Sequence, residues 1–397
     1  HQVIKRFFVM NDRAFYSIES LKKSLNAHQI TVQDVVSTAL DRAAKLNHLG
    51  AVLETFEPSS IVQESSSEGV LAGIPGYAKD NICQKNRITS CASRILENFT
   101  SPYDATVIAR LKAEGALILG RTNMDEFAMG SSGETSAFGK TYNPWNTACV
   151  PGGSSSGSAA AVAAGLAPWA LGSDTGGSVR QPAAFCGVVG MKPTYGLVSR
   201  YGLIAYGSSL DTIGVFSKNV SDNALVFSVI AGHDEKDSTS LSVAKKDYTK
   251  SLTGQIKKGL KIGLIEDAIN APGLDPEIRQ ATLDAVTVLE DQGAQIQYIR
   301  IKSLEYCAAS YFIISRAEAA SNLARFDGVR YGLRHKANTL TDMYEQTRHG
   351  GFGKEVTARI LIGNYVLSVG HASQFYHNAQ RVRSAIREEF KAAFSQV

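Results

Sequence analysis

The stretch PGGSSSGSAAAVAAG, residues 151 to 165, constrains this chain more than any other. A glycine pair supplies a flexible turn, hydroxyls follow at Ser154, Ser155, Ser156 and Ser158, and the run continues as a helix of almost nothing but small residues. The helix feeds WALGSD (169 to 174), and the same alternation occurs elsewhere. ATVIARLKAEGA (105 to 116) reads as a helix and ALILGRT (116 to 122) as a buried strand. GLKIGLI (259 to 265), the helix DPEIRQATLDAVTVLEDQG (275 to 293) and AQIQYIRI (294 to 301) repeat the pattern. Such alternation predicts an α/β sandwich around a largely buried sheet.

Length and composition set the outer limits. With 397 residues, 44% of them hydrophobic and 20% charged, the chain has ample material for a core, and one large domain is the economical reading. No apolar run approaches the roughly 20 residues of a membrane-spanning helix. A net charge of +4 with dispersed Lys and Arg requires no polyanionic partner. Five separated cysteines, with no CxxC pair and no histidine at ligand spacing, argue against a disulfide scaffold or a metal site and for a reducing compartment. TVQDVVSTALDRAAKL (31 to 46) is expected as an amphipathic helix behind a Thr cap, and the serine-rich segment 57 to 70 as a surface loop. From 311 onward the pattern is mostly helical. The start at His1 suggests processing or truncation, and HQVIKRFFVM is too short and mixed for a signal peptide.

A Gly-Ser loop before a helix could cradle phosphate, serve catalysis or simply be flexible. A Walker A loop would put Lys and Ser/Thr after its second glycine, but Gly157 is followed by Ser158 and Ala159, and no GxGxxG with a downstream acidic partner occurs. A second glycine-rich segment, SDTGGSVRQPA, places Ser178 after two glycines whose backbone N–H groups can turn toward one point, which suits an oxyanion hole over Thr175, Gly176 and Gly177. Neither segment carries a histidine to act as base. Lys79, in GIPGYAKDNI, sits on an expected strand among apolar neighbours, where desolvation lowers an amine's pKa. A lone lysine is otherwise an ordinary surface charge.

Taken as a set, Lys79, Ser154 in GGSSSGSAAAVAAG and Ser178 in SDTGGSVRQPA resemble the Ser-cisSer-Lys triad of the amidase signature family, over most of residues 70 to 220. The resemblance implies an α/β/α sandwich around a central mixed sheet. It makes Ser178 the acyl-forming nucleophile, Ser154 the proton relay behind a cis peptide, and Lys79 the ultimate base. In that setting the glycines permit the turn, and the small residues let the helix approach the sheet. The loop reads GGSSSG where the family more often has GGSSGG, and Ser155 is expected to be a turn hydroxyl with no catalytic part, the alternative being an additional hydrogen-bonding group of that loop.

Further stretches, NMDEFAMGSSGETSAFG (123 to 139), YGLVSRYGLIAYGSSLDTIG (195 to 214), AEAASNLARFDGVRYG (317 to 332) and GFGKEVTARILIGNYVLS (351 to 368), resemble the branch of the family that hydrolyses glutamine and exports the ammonia. That resemblance extends from about residue 16 to the end. It implies substrate contacts from Tyr311 and Arg359, a guanidinium being suited to grip an α-carboxylate in bidentate fashion. No cofactor is implied for this chain. A B subunit is implied as partner, using ATP and Mg²⁺ to activate glutamyl-tRNA, with a small third subunit clamping the pair. The chain stops at Val397, before the segment that supplies further strands and a substrate-binding Asp in that family. The readings left open are a free-standing small-amide hydrolase and a non-catalytic scaffold subunit. The compartment expected is the mitochondrial matrix, with the bacterial cytoplasm as alternative.

Overall fold

The structure, a computed structural model, describes residues 17 to 397. The expectations for the first ten residues lie outside that range. The single domain read from the sequence is organised as two compact units: residues up to Thr249 together with Asn322–Ala358, and Lys250–Ser321 together with Arg359–Val397.

The first unit is built on six strands, β1 (Val52–Thr55), β2 (Pro75–Lys79), β3 (Leu117–Thr122), β4 (Trp169–Asp174), β5 (Val189–Met191) and β6 (Thr212–Ser217). Their order is β1-β3-β2-β4-β6-β5. The central pairs β2/β3 and β2/β4 are parallel, while β1/β3, β4/β6 and β5/β6 are antiparallel, so the sheet is mixed. Every residue of β2, β4 and β6 is buried. Both faces of the sheet's centre are therefore covered, which is why these segments read as continuous apolar or small runs instead of alternating ones. Trp169, Tyr77 and Phe216 fill the core at zero exposure.

Local signals position the surrounding helices. Thr31 caps the Val32–Lys45 helix through a reciprocal capping box with Asp34, and Val35, Val36, Ala39 and Ala43 form its buried face. The Ser156–Ala163 helix has seven buried residues and no amphipathic face, so its small side chains are what lets it lie inside the unit. A Cβ at Gly157 would meet the backbone of Ala51 and Asn123, the latter at 2.5 and 2.6 Å. Segment 57 to 70 departs from the expected loop. Pro58 opens a short helix, Pro58–Gln63, that buries Ile61, because a proline at the first helical position and one apolar anchor suffice without a longer periodic run.

In the second unit, β7 (Lys261–Ile265) and β8 (Gln295–Ile299) form their own two-stranded parallel sheet, crossed by the Pro276–Asp291 helix. They do not extend the main sheet, and their residues are only half-buried or exposed, which distinguishes them from β2 and β4. The Cys307–Asn322, Lys354–Leu367 and Tyr376–Phe394 helices account for the helical pattern after residue 311. Among the described residues, no helix is long and apolar enough to cross a membrane.

Candidate active site

The register of the parallel pair β2 and β4 brings the chemistry together. Gly76 pairs with Trp169 and Tyr77 with Ala170, so the carboxyl ends of the two strands, Lys79 and Ser173–Asp174, lie side by side. Carboxyl ends of parallel strands are where α/β sheets gather ligands. The Gly-Ser loop runs against the same edge: Asp125 N–H donates to Ser154 O (3.1 Å) and Ser155 N–H to Ser178 O (3.2 Å). The Gly153–Ser154 peptide is cis.

Lys79 is fully buried. Its Nζ lies 2.8 Å from Ser154 Oγ, 2.9 Å from Ser155 Oγ, 2.9 Å from Ser173 Oγ and 3.3 Å from Ser173 O. Burial pulls the lysine's pKa down to about 7, against the opposing pull of Asp125, Asp174 and Asp211. Proton bookkeeping around it is restrictive. Ser155 donates its hydroxyl proton to Ser173 O (3.1 Å) and accepts from Ser173 N–H (3.2 Å), so toward Lys79 it can only accept. Ser173 Oγ already accepts from Asn81 Nδ2 at 2.9 Å. A neutral Lys79 can therefore donate its two protons to Ser155 and Ser173 and turn its lone pair to Ser154. Of the two readings of Ser155, the structure shows the hydrogen-bonding group: its hydroxyl is a direct partner of the lysine.

Ser178 is 9% exposed where Lys79 and Ser154 are at zero, so of the three hydroxyl or amine groups only Ser178 offers a face to a ligand. Its hydroxyl makes no hydrogen bond among the described residues, a common state for a nucleophile before substrate closes the geometry. The loop that carries it is held by two buried carboxylates. Asp174 accepts from Gly177 N–H (2.7 Å), Val179 N–H (3.0 Å) and the Arg180 guanidinium. Burial raises its pKa, but these donors outweigh it and hold the carboxyl below its usual value. Asp211 accepts from the Thr175 hydroxyl at 2.6 Å. Gly177 takes φ +127° with nothing within 4 Å of a notional Cβ, so its need for glycine is purely one of backbone conformation. Of the expected oxyanion donors, Gly177 N–H is thus already committed to Asp174, which leaves those of Thr175 and Gly176.

The acidic residues were missed from sequence. Asp174 and Asp211 stand inside the quoted motifs SDTGGS and SSLDTIG, and acids embedded in glycine- and serine-rich turns are a signal for loop-bracing hydrogen bonds. Asp211 also lines a cavity of about 270 Å³ with Arg200, Tyr201, Ser208, Lys236 and Asn322. Tyr311 and Arg359 belong to the second unit. Tyr311 is half-buried on the Cys307–Asn322 helix, and Arg359 is 7% exposed on the Lys354–Leu367 helix. The two helices cross closely at Gly363, where a Cβ would meet Arg316 O and stand 2.7 Å from Ala320 Cβ. Arg359 lies one turn ahead of Gly363 on that face. No group of three metal-ligating side chains occurs among the described residues.

A buried lysine bonded to two serines of the Gly-Ser loop, at the carboxyl ends of the central strands of a mixed sheet, defines a serine amidohydrolase architecture, and the amidase family profile matches residues 34 to 397: the chain belongs to the amidase family. Among curated relatives, the A subunit of glutamyl-tRNA(Gln) amidotransferase from Gloeobacter violaceus is 49% identical over 392 residues, covering 96% of this chain and 80% of the relative. The protein of the same name from Geotalea daltonii is 54% identical over 380 residues, covering 96% and 76%. Among solved structures, the A subunit of glutamyl-tRNA(Gln) amidotransferase from Thermotoga maritima superposes with a TM-score of 0.79 at 40% identity, covering 96% of this chain and 77% of that one. The peptide amidase of Stenotrophomonas maltophilia superposes at 0.78 with 31% identity, covering 92% and 78%.

Proposed function

We propose that this chain is the glutaminase subunit of a glutamyl-tRNA(Gln) amidotransferase, in which Lys79, Ser154 and Ser178 hydrolyse glutamine and release ammonia for conversion of glutamyl-tRNA(Gln) to glutaminyl-tRNA(Gln). The observation that carries this reading is the 2.8 Å contact between Lys79 Nζ and Ser154 Oγ, in a chain about half identical to curated subunits of that enzyme.

Ser178 Oγ attacks the side-chain amide carbon of glutamine, its proton passing to Ser154 while the Ser154 proton passes to the lone pair of Lys79. The N–H groups of Thr175 and Gly176 hold the tetrahedral oxyanion. Collapse breaks the C–N bond, and the relay returns a proton to the departing nitrogen, giving ammonia and a glutamyl ester on Ser178. Water, deprotonated along the same relay, hydrolyses that ester. On the family resemblance, Tyr311 and Arg359 are assigned to the substrate's polar backbone groups, a guanidinium being suited to an α-carboxylate. The ammonia passes to a B subunit, where ATP and Mg²⁺ activate the tRNA-linked glutamate, and a small third subunit completes the assembly.

The test is the assembled complex carrying Ser178→Ala. Glutamine-dependent amidation of glutamyl-tRNA should fall by about 10⁴- to 10⁶-fold, while added ammonia still supports it. Near-normal glutamine turnover would displace Ser178 as nucleophile. Loss of the ammonia-dependent reaction as well would point to a scaffolding role.

A further inference from the structure

The nucleophile loop has a second brace that the relay chemistry does not use. Asp211 stands immediately before β6, and the antiparallel register of β4 with β6 pairs Asp174 with Thr212, so Asp211 arrives opposite the first residue of the loop, Thr175. Its carboxylate is 3% exposed and accepts from three donors: the Thr175 hydroxyl (2.6 Å), Tyr206 N–H (2.8 Å) and Gly207 N–H, shared between both oxygens (3.1 and 3.0 Å). The bonds divide by purpose. Those from Tyr206 and Gly207 close the turn 206 to 211 on itself and would persist without Thr175. The bond from Thr175 is the one that reaches across the sheet edge to the loop. At the other end of the loop, Asp174 holds the N–H groups of Gly177 and Val179.

We infer that Asp211 is a positioning residue for the reaction, fixing through the Thr175 hydroxyl the direction in which the Thr175 and Gly176 N–H groups present themselves to the oxyanion beside Ser178. Between the two carboxylates only Gly176 and Ser178 are left without a side-chain or backbone tie to an acid, and the Gly176 peptide has no side chain to hold it. A loop pinned at one end only would keep its nucleophile and lose the aim of its donors. Misalignment of such donors is felt in the transition state, where charge develops on oxygen, more than in substrate binding. This inference rests on the glutaminase reading proposed above.

Thr175→Val removes the hydroxyl at constant shape and leaves the 206 to 211 turn its own bonds, so it isolates the tether. In the assembled complex it should lower kcat for glutamine hydrolysis by about 10- to 100-fold, with KM changed less than about threefold and the melting temperature within a few degrees of the parent. Thr175→Ser, which restores the hydroxyl, should recover most of that loss. Asp211→Asn turns amide protons toward the Tyr206 and Gly207 N–H groups, and its effect on kcat should be less than multiplicative when combined with Thr175→Val. The rate at which an uncharged serine-directed sulfonyl fluoride modifies Ser178 gives a readout independent of glutamine. That rate should fall in Thr175→Val and return in Thr175→Ser. A parent chain that is labelled at Ser178 but does not hydrolyse glutamine would sink the glutaminase reading alone. An unchanged kcat and labelling rate in Thr175→Val, a loss carried by KM, or failure of the Ser variant to recover activity would overturn the tether.

Discussion

Lys79 Nζ and Ser154 Oγ stand 2.8 Å apart with neither group exposed to solvent, and the two other partners of the amine, Ser155 and Ser173, are placed to accept from it. An ammonium in this position has three protons and no lone pair, so it cannot take the proton of Ser154. Because burial brings the pKa to about 7, the neutral amine becomes the major form only above that value. Glutamine hydrolysis should therefore fall about tenfold for each pH unit below 7 and level off above it. Lys79→Arg keeps the charge and cannot give up its proton, so its activity should drop below about 10⁻³ of the parent. A rate that is flat between pH 5.5 and 8, or an active Arg variant, would remove Lys79 as base.

Gly157 should reverse the usual preference of helices for alanine. In an open helix, Gly→Ala stabilises by about 1 kcal/mol. Here the added methyl would press on backbone atoms of Ala51 and Asn123, which flank β1 and β3, are hydrogen-bonded to each other and cannot swing aside as a side chain could. Gly157→Ala is expected to destabilise by about 2 kcal/mol or more, read from the denaturant midpoint. A raised midpoint would show that the helix is free to shift.

The sequence carries this site unevenly, for physical reasons. Lys79, Ser154 and Ser178 lie in stretches whose glycines and small apolar neighbours mark them locally. Ser155 could not be assigned a partner from its loop, because its contacts with Lys79 and Ser173 exist only once β2 and β4 pair in register. Asp211 is 36 residues from Thr175 along the chain, and only the return of β6 antiparallel to β4 makes them neighbours. Periodicity placed β7 and β8 correctly as strands around a helix but carries no information about which sheet a strand joins. Their half-exposed residues distinguish them from the fully buried strands β2, β4 and β6 only after burial is known.

Arg359 separates a glutamine amidotransferase from a general amidase better than the triad does. If its guanidinium grips the α-carboxylate, Arg359→Ala loses a charge-assisted pair worth roughly 2 to 4 kcal/mol, and KM for glutamine rises about 30- to 1,000-fold. A small amide without that carboxylate should be processed about equally by variant and parent. Comparable losses on both substrates would assign Arg359 to the fold, and no loss on glutamine would take it out of the pocket.

Glu126 makes a prediction about stability alone. Its carboxyl is 2% exposed, accepts from Ser93 Oγ at 2.5 Å and from Gly353 N–H at 3.1 and 2.9 Å, and is driven by burial to a pKa of about 7, against those bonds. The folded state therefore holds a proton that the unfolded chain, with an ordinary value of 4.5, releases earlier. Between those two values folding takes up a proton, so the contribution is complete below about pH 4.5 and disappears as pH rises through 7, up to about 3 kcal/mol in all. Glu126→Gln keeps the carbonyl acceptor for Gly353 and has nothing to ionise. Denaturant midpoints of parent and variant, measured from pH 5 to 8, should show the parent losing stability relative to Gln over that range. A constant difference would mean that Glu126 is already ionised in the fold at pH 5, with Ser93 and Gly353 sufficient to hold its charge.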